Sequence, residues 1–174
     1  MDLGRWAKPV LAGQLVTLRP YGADDTGAAW EMVNDAEGSD LTHTTATFTY
    51  DQIREWCSSR NEQPDRLDLA IVENATGLFA GEAVLNDFDP VQRSANFRIA
   101  LRGPEWFGRG LGTEATQLIV GHGLATIGLA TITLDVLARN PRAIRTYEKV
   151  GFRRAGTSTD DGELWINMVI STGD

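Results

Sequence analysis

A single cysteine, Cys57, is all that this 174-residue chain carries, which excludes an internal disulfide and leaves secretion without support. Only two histidines, His43 and His122, are present, and they lie far apart, so a structural zinc site is excluded. The expected number of metal ligands is none. No apolar run reaches the roughly 18 residues of a membrane span, and Met1 to Gln14 hold no apolar core of signal-peptide length. A soluble cytoplasmic protein with no membrane partner is therefore expected. Basic residues are also scarce: 16 Lys and Arg stand against 24 Asp and Glu, a formal charge of −8. Duplex binding relies on clustered cations, so nucleic acid is excluded as a partner. The acidic balance suits a cationic substrate, or simply keeps the protein soluble. Internal repeats and low-complexity segments are absent, and a chain of this length fits one domain.

What is present begins with Pro104-Glu105-Trp106-Phe107-Gly108-Arg109-Gly110-Leu111-Gly112-Thr113-Glu114-Ala115, three alternating glycines at the start of a predicted helix. Glycine admits positive φ and lets a ligand approach the backbone. The helix start adds unpaired N–H groups and a positive dipole end, so the segment suits a phosphate, with Arg109 as a formal cation in the turn. A tight strand-to-helix connection would read the same way. A Rossmann module fits less well, although Asp135 mimics its ribose-binding acid. The glycines follow G-x-G-x-G rather than G-x-G-x-x-G, and too little chain follows Asp135 to complete a doubly wound sheet. A Walker loop is excluded, since no lysine followed by Ser or Thr ends the turn.

A second segment, Asn140-Pro141-Arg142-Ala143-Ile144-Arg145-Thr146-Tyr147-Glu148-Lys149-Val150-Gly151-Phe152, reads as a helix capped by Asn140, opened by Pro141 and stopped by Gly151. Asn140 and Tyr147 lie about two turns apart and share one side of it. Arg142 and Arg145 oppose the helix dipole at its start, by about 0.3–1 kcal/mol each. A phosphorylated ligand would compensate them; solvation at the surface is the other reading.

Along the chain, strands are predicted at Leu15 to Leu18, Leu67 to Glu73, Leu78 to Leu85, Ser94 to Leu101 and Thr131 to Val136, and in a final hairpin, Phe152 to Thr159 with Glu163 to Ile170 across Asp160-Asp161-Gly162. Asn74 to Gly77 reads as another hairpin turn. Helices are expected at Asp24 to Val33, Asp51 to Arg60, Gly110 to just before Ala130, and Asn140 to Val150, with Asn34 to Tyr50 a loop. Gly121 and Gly123 fall inside the long helix, each costing up to about 1 kcal/mol against alanine. Close packing on the sheet is the expected reason.

The glycine loop matches W-[FG]-G-[KR]-G-x-[GA]-T-E-A and the later helix matches N-x-x-A-x-x-x-Y-E-K-x-G-F. Together they resemble the GNAT N-acetyltransferases, within them the RimJ/RimL-type branch that acetylates protein N-termini and small amines. The motifs cover about residues 93–152, with weaker similarity from Leu15-Val16-Thr17-Leu18-Arg19-Pro20 onward. The resemblance implies an α/β (α+β) GNAT fold over residues 1–174: a mixed, splayed central sheet of about seven strands flanked by about four helices. It implies acetyl-CoA as acyl donor, held by Leu101, Phe107, Gly108, Arg109, Gly110, Leu111, Gly112, Thr113, Asn140 and Arg145. A homodimer through the sheet edge or last hairpin is also compatible with it.

Amide formation from a thioester needs a neutral amine and a proton for the departing thiolate. An alkyl amine of pKa near 10 is neutral about one part in a thousand at pH 7, a handicap of roughly 4 kcal/mol. By resemblance Tyr147 is the general acid serving the sulfur; the other reading is a core tyrosine. Asn140 is a helix cap, a contact to the pantetheine arm, or both. For the base, many family members carry a glutamate where this chain has Asn96, which cannot take a proton but could position a water or the amine. Glu82 is an alternative carboxylate, or only an exposed strand residue, and Asp135 is a third candidate. His122 reads as structural, and His43 as a residue over the acceptor site or at the surface. Asp35, Glu37, Asp40, Asp160, Asp161 and Glu163 would favour a cationic amine acceptor. Trp30, Trp56, Trp106 and Trp165 would line an apolar wall or fill the core. A non-catalytic acyl-CoA sensor is the alternative to an enzyme.

Overall fold

The structure, a computed structural model, describes residues 5–173. Residues 1–4 and 174, which belong to the expected 1–174 domain span and in part to the Met1 to Gln14 segment, lie outside the described residues. One sheet holds β1 (Leu11–Ala12), β2 (Val16–Pro20), β3 (Leu67–Glu73), β4 (Phe79–Asp89), β5 (Ser94–Leu101), β6 (Thr131–Leu137), β7 (Arg153–Asp160) and β8 (Glu163–Ser171). Their order is β1-β2-β3-β4-β5-β6-β8-β7. The helices are α1 (Thr26–Val33), α2 (Ala36–Leu41), α3 (Tyr50–Ser59), α4 (Leu111–His122) and α5 (Pro141–Val150).

The mixed α/β class is as expected, with one strand and one helix more than foreseen. β1 is two residues pairing with Leu18 and Thr17, too short to leave a periodic signal. α2 replaces part of the predicted loop. Its six residues bury no side chain and so show no amphipathic pattern, but Asp35 caps it by accepting from Gly38 N at 2.6 Å. Among the described residues no helix is long and apolar enough to cross a membrane.

Alternation along the strands divides the core. Leu69, Ile71, Ala83, Leu85, Phe97, Ile132 and Leu134 face α4 and α5, whereas Ala70 and Phe79 join Tyr21, Met32, Ile53 and Cys57 beneath α1 and α3. The long helix ends earlier than predicted, since α4 gives way to a π-helical turn at Gly123–Ile127, closed by Gly128 at φ 85°. Gly123 meets the packing expectation: a Cβ there would lie 2.9 Å from Ile132 Cδ1 and 3.0 Å from Leu85 Cδ1. Gly121 does not, having nothing within 4 Å, so packing gives no reason for a glycine there. The last hairpin turns on Asp161 (φ 48°) and Gly162 (φ 76°), the paired positive φ values of a type I′ turn.

What positions the site is one incomplete pairing. Every ladder is antiparallel except β5 with β6, which α4 connects by a crossover. Those two strands pair only over Ser94–Asn96 against Thr131–Thr133 and then part. Beyond that point residues 97–101 and 134–137 keep their outer partners, β4 and β8, and line a cleft between them. The sheet is splayed as expected.

Candidate active site

The cleft opens into a cavity of about 840 Å³, floored by β5 and β6 and covered by α1, α2 and α3. At one end lies the glycine turn. Gly108 has φ 68° with open space where a Cβ would sit, and Gly110 has φ 82° as the residue preceding α4. Among the described residues no side chain caps that helix, and Gly108, Gly110, Gly112 and Thr113 line the cleft at its start. The loop is anchored from behind. The Glu114 carboxylate accepts from the backbone N–H groups of Gln14, Leu15 and Val16 at 2.7–2.9 Å. This arrangement fits a pyrophosphate with no side-chain cation.

At the centre lie the candidate catalytic groups. Tyr147 projects from α5 between Phe97 and Phe152, ring centroids 6.0 and 6.1 Å away. The residue is 9 % exposed yet lines the cavity, and burial pushes its phenol up to about 12. Glu82, on β4, is no exposed strand residue. It lines the cavity, accepts from Tyr21 Oη at 2.9 Å, and burial raises its carboxyl above the ordinary range, opposed by Arg98 and by the Tyr21 bond. Asn96 also lines the cavity and donates to Asn86 Oδ1 at 3.1 Å, across a β4–β5 pair. Asp135 lines it too, accepting from Asn167 Nδ2 at 2.6 Å. His122 is absent from the lining and burial lowers its pKa. Tyr21 was not anticipated, because an isolated aromatic after a strand carries no signal of a distant carboxylate.

The acceptor side is apolar. Met32, Phe48, Ile53 and Trp56 face it, and Trp106 and Trp165 reach the cavity lining, whereas Trp30 packs on Tyr50 instead. The anticipated acidic surface is largely occupied by the fold. Arg139 bridges Asp40 at 2.9 Å and Glu163 at 3.0 Å, His43 Nε2 lies 3.2 Å from Asp161 Oδ2, and Asp35 caps α2. None of the six acids, Glu37 and Asp160 included, lines the cavity. These contacts tie α2 and the following loop to the β7–β8 hairpin.

The acetyltransferase (GNAT) domain family matches residues 16–153, most of the chain. This chain belongs to the GNAT acetyltransferase family. Spermidine N(1)-acetyltransferase of Escherichia coli K12 is 34 % identical over 92 residues, covering 53 % of this chain and 49 % of that protein. The chain thus spans about half the length of that relative in the match. Human alpha/beta-tubulin-N-acetyltransferase 9 is 28 % identical over 174 residues, 93 % of this chain and 84 % of that protein. Spermidine N-acetyltransferase from Vibrio cholerae, solved with CoA and spermine, superposes with a TM-score of 0.83 at 19 % identity over 91 % of this chain and 96 % of that one. At that identity the likeness concerns the fold.

Within this GNAT domain two expected donor contacts are corrected. Arg109 does not line the cleft: its guanidinium pairs with the buried Glu73 carboxylate and lies 5.3 Å from the Trp106 ring. Neutralising Glu73 occupies the charge that the turn was expected to offer an anion. Arg145 faces away, into a separate depression with Glu148 and Arg154. It stands about 200° round the helix from Tyr147 at 3.6 residues per turn, a signal present in the spacing. Arg142 lines the cleft instead, its guanidinium 4.2 Å from the Phe107 ring centroid. Leu101, Phe107, Leu111, Gly112, Thr113 and Asn140 all line the cavity.

Asn140 caps α5, accepting from Ala143 N at 3.3 Å, and its Nδ2 lies 3.5 Å from Leu41 O. Asn140→Ala should cost about 1 kcal/mol, a fall in Tm of roughly 2–4 °C by calorimetry, and Asn140→Ser should restore most of it. An unchanged Tm in the alanine variant would remove the cap from the account of this helix.

Proposed function

We propose that this chain is an acetyl-CoA-dependent N-acetyltransferase that moves the acetyl group directly onto a primary amine. The observation that carries the reading is one continuous cleft joining a helix start to a phenol and a half-buried carboxylate. When bound, acetyl-CoA supplies an activated acetyl thioester. Gly108 to Thr113 hold its pyrophosphate through backbone N–H groups, with Arg142 beside them. The separated edges of β5 and β6 offer main-chain groups to the amides of the pantetheine arm, as a third strand would.

Glu82 takes the proton that the amine must lose, and its raised pKa brings it nearer the operating pH of a general base. Tyr21 holds the carboxyl in place. Tyr147, protonated throughout the neutral range, donates from Oη to the departing sulfur. Asn96 orients the amine or the water through which its proton passes. The spermidine-acetylating relatives support a small amine as acceptor, and the RimJ/RimL resemblance supports a protein N-terminus. The buried Cys57 thiol, pushed up to about 11 by burial, takes no part.

The test is release of free thiol from acetyl-CoA in the presence of amines, together with donor binding by Gly110→Val. A β-branched residue at φ 82° costs about 1–2 kcal/mol, so the loop should leave its binding conformation and CoA affinity should fall about 5- to 30-fold. Unchanged affinity in a folded variant refutes the donor site. CoA binding with no amine turned over would favour the acyl-CoA sensor.

A further inference from the structure

The charges inside the cavity differ from those a polyamine needs. Arg98 lines it, on the same face of β5 as Asn96, and is exposed to it. Among the described residues no carboxylate lies within 4 Å of Arg98, whereas Arg66, Arg102, Arg109 and Arg139 each have one. Glu82 pairs across the ladder with Ala100, and Arg98 with Val84. Arg98 is therefore the diagonal neighbour of Glu82, roughly 7–8 Å away between Cα atoms. The Glu82 carboxyl is held by Tyr21 rather than by this guanidinium. A carboxylate and a cation that attracts it without forming a salt bridge thus face one cavity, beside the apolar wall of Met32, Ile53 and Trp56.

We propose that the acceptor is an α-amino acid with an apolar side chain, its amine directed to Glu82 and its carboxylate held by Arg98. The proposal rests on the acetyl-transfer reading and names the substrate class of that site. A guanidinium fork matches a carboxylate in a bidentate manner and repels a second ammonium, so a polyamine would meet a like charge there. None of the six acids that might have drawn a polyamine lines the cavity, and Asp40 and Glu163 pair with Arg139 and Asp161 with His43. Among the described residues Asp135 is the other carboxylate lining the cavity, and it already accepts from Asn167. Met32, Ile53 and Trp56 take the apolar side chain. In the reaction the amine nitrogen forms the C–N bond and the C–S bond breaks. The amine proton passes to Glu82, and the electron pair of the broken C–S bond leaves on sulfur as the CoA thiolate, which Tyr147 Oη hydrogen-bonds and which takes up a proton from solvent on release.

The experiment measures thiol release from acetyl-CoA with leucine, methionine, phenylalanine and tryptophan, with the amide of each, and with spermidine. The free acids should be used more efficiently than their amides, about tenfold or more in kcat/KM. Arg98→Gln should bring that acid-to-amide ratio close to one, chiefly through KM for the acids, and Arg98→Lys should restore part of it. The ratio cancels any effect of Arg98 on the Glu82 carboxyl, which acids and amides share. CoA affinity serves as the folding control. Amides used as well as acids, an unchanged ratio in Arg98→Gln, or turnover of spermidine with none of the acids would each overturn the proposal while leaving acetyl transfer standing. If no amine is turned over, both readings fall.

Discussion

Replacing Glu82 by Gln should lower kcat at pH 7 by about 10²- to 10⁴-fold, the range over which a positioned general base acts. The side chain keeps its shape and can still accept from Tyr21, so acetyl-CoA affinity should be unchanged. In the wild type, activity requires the carboxylate form. Burial raises the Glu82 pKa, so the acidic limb of kcat/KM should lie above the ordinary glutamate range, and Gln should abolish that limb. Stability should move the opposite way. A carboxyl whose folded pKa exceeds its unfolded value supports the fold fully below the unfolded pKa and loses that contribution as pH rises through the folded one. Glu82→Gln carries no such charge, so its Tm relative to wild type should rise between acidic and neutral pH. Wild-type kcat at pH 7 in this variant would transfer the proton to solvent, or to a water at Asn96.

The glycine turn and the capped helix were legible because their chemistry is local. Gly108 and Gly110 adopt the positive φ that their spacing suggests, and Asn140 caps the helix it precedes. The last hairpin was legible for the same reason, its Asp160-Asp161-Gly162 turn lying inside its own sequence window. Charges could not be read this way. Arg109 finds Glu73 36 residues away, Arg139 finds Asp40 99 residues away, and His43 finds Asp161 118 residues away. The two arginine pairs each neutralise a charge that the sequence assigns to a ligand, and the third draws Asp161 into a side-chain contact. Glu82 can be named from its strand, but whether it is a surface acid or a cavity-lining base depends on Tyr21, 61 residues distant. Local propensity thus fixes turns and caps, while the fate of a charge is decided by topology.

Tyr147→Phe keeps the ring between Phe97 and Phe152 and removes only the hydroxyl, so it should lower kcat about 10²- to 10³-fold with acetyl-CoA affinity and Tm nearly unchanged. The magnitude follows from the environment. With its phenol pushed up to about 12, Tyr147 is a weaker acid than a thiol of pKa near 8.5. Complete proton transfer to the sulfur would be uphill. The hydroxyl therefore acts chiefly as a hydrogen-bond donor to charge developing on sulfur, in a buried site where such a bond is strong. Losing one donor of that kind costs about 10²- to 10³-fold in known cases. The effect should shrink with acyl donors whose leaving group is a more acidic thiol, since less charge then needs stabilising. A tyrosine that only packs predicts the reverse: kcat intact when chemistry limits the rate, Tm altered, and no dependence on the leaving group.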